Sequence, residues 1–175
     1  ENEEITAVVS TSRNGKSLVF ASENADSEEL NFVIDSENNG IDKKYLLKKP
    51  VLCNGVEKGM NKSDYWRIKE INPDDKDKHD EIVAFKMLLN SMGKCEGALI
   101  SENSKALSGG FITFSQKISL ITDVYTNEKC RDMGYGKALV EKLLNLSINE
   151  DVYLVSKEHN LEFYKKCGFE IVKEI

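Results

Sequence analysis

Two glycines one residue apart, Gly134 and Gly136, lie between a strand-like segment and an amphipathic segment in the last third of the chain. Glycine lets a backbone turn tightly and approach a ligand without a Cβ in the way. A helix that begins at such a turn has unpaired N–H groups and a partial positive charge at its first turn, which suits a phosphate or pyrophosphate. The spacing therefore predicts an anion-binding turn.

The segments on either side of the glycines have the patterns of a strand and a helix. Residues 117–126 are rich in Ile, Leu, Val, Thr and Tyr, the residue types that suit a buried pleated surface. After Gly136, apolar residues recur on one helical face, at Leu139, Val140, Leu143 and Leu144. The predicted order is strand, loop, helix.

Two common glycine motifs are excluded by spacing. A dinucleotide-binding fingerprint would need a third glycine at the position of Leu139. A P-loop would need a glycine at Arg131 and a Ser or Thr at Ala138. The pattern that is present is Arg-x-x-Gly-x-Gly, and without further support it is equally typical of a tight turn that binds nothing.

A second motif near the C-terminus supports the ligand-binding interpretation. The turn Arg131-Asp132-Met133-Gly134-Tyr135-Gly136 resembles the acyl-CoA pyrophosphate loop of the GNAT superfamily of N-acetyltransferases, and residues 160–169 resemble its Asn-x-x-Phe-Tyr-x-x-x-Gly-Phe signature. Asp123-Val124 and Cys130-Arg131 are similar to the glucosamine-6-phosphate N-acetyltransferases of that superfamily. The resemblance covers roughly residues 64–175.

The resemblance implies an α/β (α+β) fold, the GNAT acyl-CoA N-acyltransferase fold, with a central, mostly antiparallel mixed sheet flanked by helices. It implies acetyl-CoA as co-substrate and no metal. The predicted cofactor-binding residues belong to the strand end, the turn and the tail: Val124, Tyr125, Thr126, Arg131, Asp132, Met133, Gly134, Tyr135, Gly136, Lys137, Asn160 and Tyr164.

Tyr164 is the predicted general acid. A phenol with a pKa of about 10 stays protonated at neutral pH and is matched to a developing thiolate, and the resemblance puts a tyrosine in that role. The alternative is a core aromatic residue beside Phe163. Asn160 lies four residues earlier, on the same helical face, where it can bind the arm of the cofactor or cap a helix.

Asp123 is the predicted general base. It lies in an apolar strand, where a carboxylate is costly to bury unless it is paired. A structural acid at the same position is the alternative. Glu128, His159 and deprotonation through water are the other candidates for removing the proton of the amine.

Residues 1–62 are predicted to form a β-rich extension or small subdomain, and residues 63–175 the acetyltransferase domain. In the first part, strand-like runs at residues 5–9 and Ser17–Ala21 flank the pair Asn14-Gly15, a strong hairpin signal. A further strand-like run is at residues 30–34. The lysines at 43, 44, 48 and 49 are interpreted as a solvated face.

In the second part, residues 65–71 are predicted as a strand, followed by one long helix after Pro73 that ends at Gly93. The resembled fold usually has two helices there. Two antiparallel strands, at residues 98–101 and 106–115, then lead to the strand before the glycine turn. The tail is predicted as a strand at 152–155, a short helix at 159–166 and a final strand at 169–175.

Composition restricts the partners and the compartment. The chain has 175 residues, 40% of them hydrophobic, and a net charge of −6 spread evenly along it, so nucleic acid is not an expected partner. The four cysteines form no Cys-x-x-Cys pair and are not grouped with the two histidines, so we expect reduced thiols and no metal site. Without an apolar run of about 18 residues or a basic leader, membrane insertion and export are not expected, and the predicted location is cytoplasmic.

These observations predict an N-acetyltransferase that uses acetyl-CoA directly to acetylate a primary amine of a small molecule or peptide. The main alternative is a catalytically silent GNAT-like module that binds CoA or a protein partner. An enzyme that uses another acyl-CoA is a third alternative. The sequence leaves open the amine, the general base, the acyl chain, the role of residues 1–62 and the assembly, a homodimer included.

Overall fold

The computed structural model of the protein describes residues 7–11, 17–21, 43–51, 59–71 and 76–174. The strands are β1 (Ala7–Thr11), β2 (Ser17–Ala21), β3 (Lys44–Pro50), β4 (Cys95–Glu102), β5 (Lys105–Phe114), β6 (Ile118–Thr126), β7 (Asp151–Lys157) and β8 (Glu170–Glu174). The helices are α1 (Lys62–Tyr65), α2 (Ile68–Ile71), α3 (Lys76–Ser91), α4 (Tyr135–Asn145) and α5 (Leu161–Lys166). Single 3₁₀ turns, Glu128–Cys130 and Glu158–Asn160, precede α4 and α5.

Six strands form one twisted layer in the order β4-β5-β6-β7-β3-β8. All neighbours are antiparallel except β6 and β7, which run parallel. Helices α4 and α5 bury their apolar residues against one face, around Ile112 and Ile121. Helices α1 to α3 cover the other face around Phe111. The predicted fold class, a mostly antiparallel mixed sheet flanked by helices, is confirmed.

Strand β3 lies inside this sheet, between β7 and β8. Its consecutive residues Leu46 and Leu47 point to opposite faces, and both are fully buried. Residues 44–50 therefore share the core of the six-stranded sheet and do not belong to the extension predicted for residues 1–62. The division between residues 62 and 63 stays a prediction for the rest of that segment.

The lysines of β3 are not the solvated face that the sequence suggested. Lys48 donates a hydrogen bond to Asp151 at 2.7 Å and lies over the ring of Tyr153. Lys49 donates to the backbone oxygen of Cys167 at 2.7 Å, at the end of α5. A cation is favourable there because the last carbonyls of a helix lack intrahelical donors. Lys43, just before β3, makes a mainly exposed ion pair with Glu174.

The predicted strand at residues 65–71 is wrong. Two short helices, α1 and α2, occupy this segment. The buried residues are Tyr65, Ile68 and Ile71, three positions apart, while Trp66 between them is exposed. That spacing matches one face of a helix and not the alternation of a strand. The two helices that usually occupy this part of the resembled fold thus correspond to the short helices α1 and α2 and the long helix α3.

Most other predicted elements are confirmed. The first strands pair as an antiparallel hairpin with Thr11 opposite Ser17; the predicted Asn14-Gly15 turn between them, and the predicted strand at 30–34, lie outside the described residues. Helix α3 ends before Gly93, whose φ of 69° is the left-handed conformation typical of a helix stop. Strands β4 and β5 pair about a short turn, as predicted.

The burial of β3 generates a stability prediction. Leu47→Ala leaves a cavity between β3 and the α4 side of the sheet, and we expect a loss of about 2–5 kcal/mol in the free energy of unfolding. Leu88→Ala, on the exposed side of α3, is the matched control and should change it by less than about 0.5 kcal/mol. Urea unfolding monitored by circular dichroism measures both. Equal effects would show that β3 is not part of the core.

Candidate active site

The candidate site lies where β6 diverges from β7. The two strands pair in parallel from Ile118 to Ile121, opposite Asp151 to Leu154, and their pairing stops there. At this point β6 carries a bulge against β5, with Asp123 and Val124 opposite the single residue Gly110. A Cβ at Gly110 would lie 3.3 Å from Val124 Cα, so a glycine is needed for the close approach. Divergence of the strands leaves backbone groups of β6 without a β7 partner.

A cavity of about 640 Å³ opens at this divergence. That volume is typical of sites that take a molecule of cofactor or drug size. Its walls combine the end of β6, the glycine turn, the start of α4 and the tail helix α5. The lining residues are Ile71, Val124, Tyr125, Thr126, Glu128, Arg131, Asp132, Gly134, Gly136, Lys137, His159, Asn160, Phe163, Tyr164, Lys166 and Cys167.

The glycine turn adopts the conformation that its sequence predicts. Gly134, with φ of 89°, is the N-cap residue of α4, a conformation that side-chain-bearing residues rarely adopt. The first intrahelical bond of α4 runs from the amide of Ala138 to the oxygen of Gly134. The amides before Ala138 have no intrahelical acceptor, so they can donate to an anion in the cavity.

The absence of a side chain at Gly136 leaves space between strand β6 and the tail helix α5. A Cβ at this position would lie 3.2 Å from Thr126 Oγ1 and 3.3 Å from the ring of Phe163. Such contacts are tighter than ordinary van der Waals distances, and any side chain would narrow the cavity. The residues present therefore fit a ligand that passes close to the backbone at Gly136 and carries an anionic group.

Two cationic side chains flank the turn. Arg131 lies 3.5 Å from Glu128, and Lys137 lies 3.9 Å from Glu141, in ion pairs that are mostly exposed. Exposed pairs of this kind contribute little to stability and rearrange readily. Both cations line the cavity and are available to a phosphate group.

Tyr164 lines the same cavity from α5. Its ring is held by edge contacts with Phe163 and Phe169, at centroid distances of 4.9 and 6.1 Å. Burial, with a smaller contribution from Cys167, raises the pKa of Tyr164 to about 12. The hydroxyl is therefore a proton donor throughout the physiological range.

Asn160 occupies the N-cap position of α5, but its side chain makes no capping hydrogen bond. The capping alternative weighed for this residue thus has no support in the structure. The side chain is exposed and lines the cavity near Tyr164, where its amide can bind a ligand.

Three predicted site residues are not among those that line the cavity. Met133 is 64% exposed, and the hydroxyl of Tyr135 donates to Glu102 at 2.8 Å, away from the cavity. Asp123 lies on the opposite face of the bulge, where its carboxylate is 3.2 Å from the ammonium of Lys86. The other predicted cofactor-binding residues, together with Tyr164, are brought to the one cavity.

The structure adds residues that the sequence analysis did not select. Ile71 was missed because its segment was predicted as a strand. Phe163 was assigned to packing and Cys167 to no role, although both lie within the tail motif. Lys86 had a local signal, because it shares a helical face with Val83 and Leu89, which are both buried.

The comparisons with known proteins agree with this geometry. Residues 93–171 match the family model for the acetyltransferase (GNAT) domain. A predicted acetyltransferase of Clostridium acetobutylicum, solved with acetyl-CoA, matches at 16% identity with a TM-score of 0.54, over 65% of this chain and 88% of that chain. Glucosamine-6-phosphate N-acetyltransferase of Arabidopsis thaliana matches at 20% identity with a TM-score of 0.50, over 65% and 89%.

A third match covers more of the chain. A protein of unknown function from Staphylococcus epidermidis matches at 12% identity with a TM-score of 0.60, over 89% of this chain and 68% of that chain. At these identities the solved structures indicate a shared fold.

Two further properties concern the described residues alone. None of their helices is both long enough and apolar enough to cross a bilayer. No group of three or more His, Cys, Asp or Glu side chains among them is placed to hold a metal ion.

The environment of Tyr164 generates a pH prediction. Its pKa in the folded protein is about 12, above the value of about 10 for an exposed phenol, so folding favours the neutral form. This preference contributes about 2 kcal/mol to the free energy of unfolding. The contribution is fully present below a pH of about 10 and is lost as the pH rises towards 12. The free energy of unfolding of Tyr164→Phe should therefore fall less steeply over that interval than that of the wild type. Parallel slopes in urea titrations would contradict the assignment.

Proposed function

We propose that this chain, of which residues 93–171 match the family model for the acetyltransferase (GNAT) domain, transfers an acetyl group from acetyl-CoA to a primary amine of a small molecule or peptide. One observation carries the proposal: the glycine turn and Tyr164 line a single cavity at the divergence of β6 and β7. An anion-binding turn and a proton donor thereby line one cavity.

The cofactor would be held mainly by backbone groups. The diphosphate would accept hydrogen bonds from the first amides of α4, with Arg131 and Lys137 supplying positive charge. The pantetheine arm would lie along residues 124–126 as an added strand does, because this part of β6 has no β7 neighbour. A backbone amide there would also polarise the thioester carbonyl.

The transfer itself needs one bond to form and one to break. The neutral amine nitrogen attacks the carbonyl carbon of the thioester, and the C–S bond then breaks with its electron pair leaving on sulfur. Tyr164 donates its hydroxyl proton to that sulfur, and recovers a proton from solvent after the products leave. The raised pKa of Tyr164 keeps its hydroxyl protonated at neutral pH, the form that a general acid requires.

The proton lost by the amine is assigned to water. Asp123 is ion-paired on the other side of β6, which does not favour the role of base first predicted for it. Glu128 and His159 both line the cavity and are the alternatives. The reacting nitrogen of the amine loses its proton to water before it attacks, so acetylation needs no dedicated base.

A cationic amine is the expected acceptor class. The chain has a net charge of −6, and long-range attraction raises the encounter rate of a polyamine, an amino sugar or a peptide amine. The catalytically silent module is the alternative, and the intact glycine turn and Tyr164 argue against it. Release of free thiol from acetyl-CoA over a panel of amines separates the two, since a silent module binds CoA and releases none.

Tyr164→Phe tests the acid. We expect kcat to fall about a hundredfold, because the thiolate would leave unprotonated, while the Kd for CoA changes less than about twofold. Tyr45→Phe, a tyrosine of β3 outside the cavity, is the matched control and should keep kcat. Stopped-flow thiol detection and calorimetric titration of CoA provide the two readouts. An unchanged kcat in Tyr164→Phe would remove Tyr164 from the mechanism.

A further inference from the structure

The side chain of Lys86 is almost completely buried. It lies on α3 between the buried residues Val83 and Leu89, and its side chain is 1% exposed. A buried ammonium is costly unless it is paired and hydrogen-bonded. Its partners therefore indicate what the position does.

Those partners lie on β6. The ammonium donates a hydrogen bond of 2.6 Å to Thr122 Oγ1. It also lies 3.2 Å from Asp123 Oδ2, in an ion pair that lacks hydrogen-bond geometry. The ring of Phe111 on β5 is 5.7 Å away, within the range of a cation–π contact. Lys86 thus connects α3 to two consecutive residues of one strand.

These two residues mark the point at which the cavity opens. Pairing of β6 with β7 ends at Ile121, and Asp123 begins the bulge opposite Gly110. Asp123 has a φ of 54°, in the left-handed region. A residue other than glycine is strained in that region and persists there only where its surroundings hold it. Lys86 contacts the strained residue itself.

We propose that Lys86 is a positioning residue, whose pairing with Asp123 holds β6 in the bulged course that opens the CoA groove. This assignment rests on the proposed function and makes Asp123 the anchor of the strand instead of the general base. Lys86 does not line the cavity, so its effect on the cofactor passes through the backbone of residues 122–124.

The charges of the pair predict how substitutions combine. Lys86→Met leaves the carboxylate of Asp123 without its cation, and Asp123→Asn leaves a buried ammonium without its anion. Each change removes the same interaction, so their effects should not add. Thr122→Val keeps the ion pair and removes the hydrogen bond alone.

The experiment measures the Kd of CoA by calorimetry well below the unfolding midpoint, with kcat measured in parallel. We expect the Kd to rise about tenfold in Lys86→Met and in Asp123→Asn, and about threefold in Thr122→Val. The double variant should bind no more weakly than the weaker single variant. Lys105→Met, an exposed lysine of β5, is the control and should keep the wild-type Kd.

Three results would overturn the assignment. An unchanged Kd in Lys86→Met and Thr122→Val would make the pair merely structural. Loss of kcat in Asp123→Asn at an unchanged Kd would return the role of base to Asp123, and additive losses in the double variant would show independent roles. If Lys86→Met does not fold, the Kd of Asp123→Asn decides, because this variant removes the same ion pair. Failure of the wild type to bind CoA would instead refute the proposed function.

Discussion

The divergence of β6 from β7 is the constraint on which the site depends. Two parallel strands share hydrogen bonds only up to Ile121, and beyond it the backbone groups of β6 on that side need other partners. The bulge at Asp123 and Val124 turns the strand without breaking its pairing with β5, which resumes at Tyr125 opposite Gly109. Strand β6 thus keeps its pairing with β5 on one side, while on the other side it separates from β7. The backbone groups on the open side are available to a ligand that has amide groups of its own.

The tail helix is placed against this opening by a strand from far upstream. Strand β3 lies between β7 and β8, and its Lys49 binds the carbonyl of Cys167 at the end of α5. The aromatic contacts of Tyr164 with Phe163 and Phe169 fix the ring on the cavity side. The first third of the chain therefore contributes to the site through β3, which supports α5 without lining the cavity.

The site was predictable where its signals are contiguous. Gly134 and Gly136 are sufficient to predict the turn. Asn160 and Tyr164 lie four residues apart and therefore share a helical face, so each motif predicts its own local geometry. The pairing of Lys86 with Thr122 spans 36 residues, and that of Lys48 with Asp151 spans 103. No local pattern specifies such contacts, which is why β3 was assigned to an extension. The strand prediction at residues 65–71 is wrong for another reason. Seven residues are too few for the spacing of apolar residues to distinguish a helix from a strand.

We propose that the opening beside β6 holds CoA with its diphosphate on the glycine turn and its sulfur at Tyr164. A crystal structure of the protein with CoA would show where both groups bind. We expect diphosphate oxygens within hydrogen-bond distance of the first amides of α4, the arm along residues 124–126, and the sulfur beside the Tyr164 hydroxyl. A diphosphate bound elsewhere, or a sulfur remote from that hydroxyl, would contradict it.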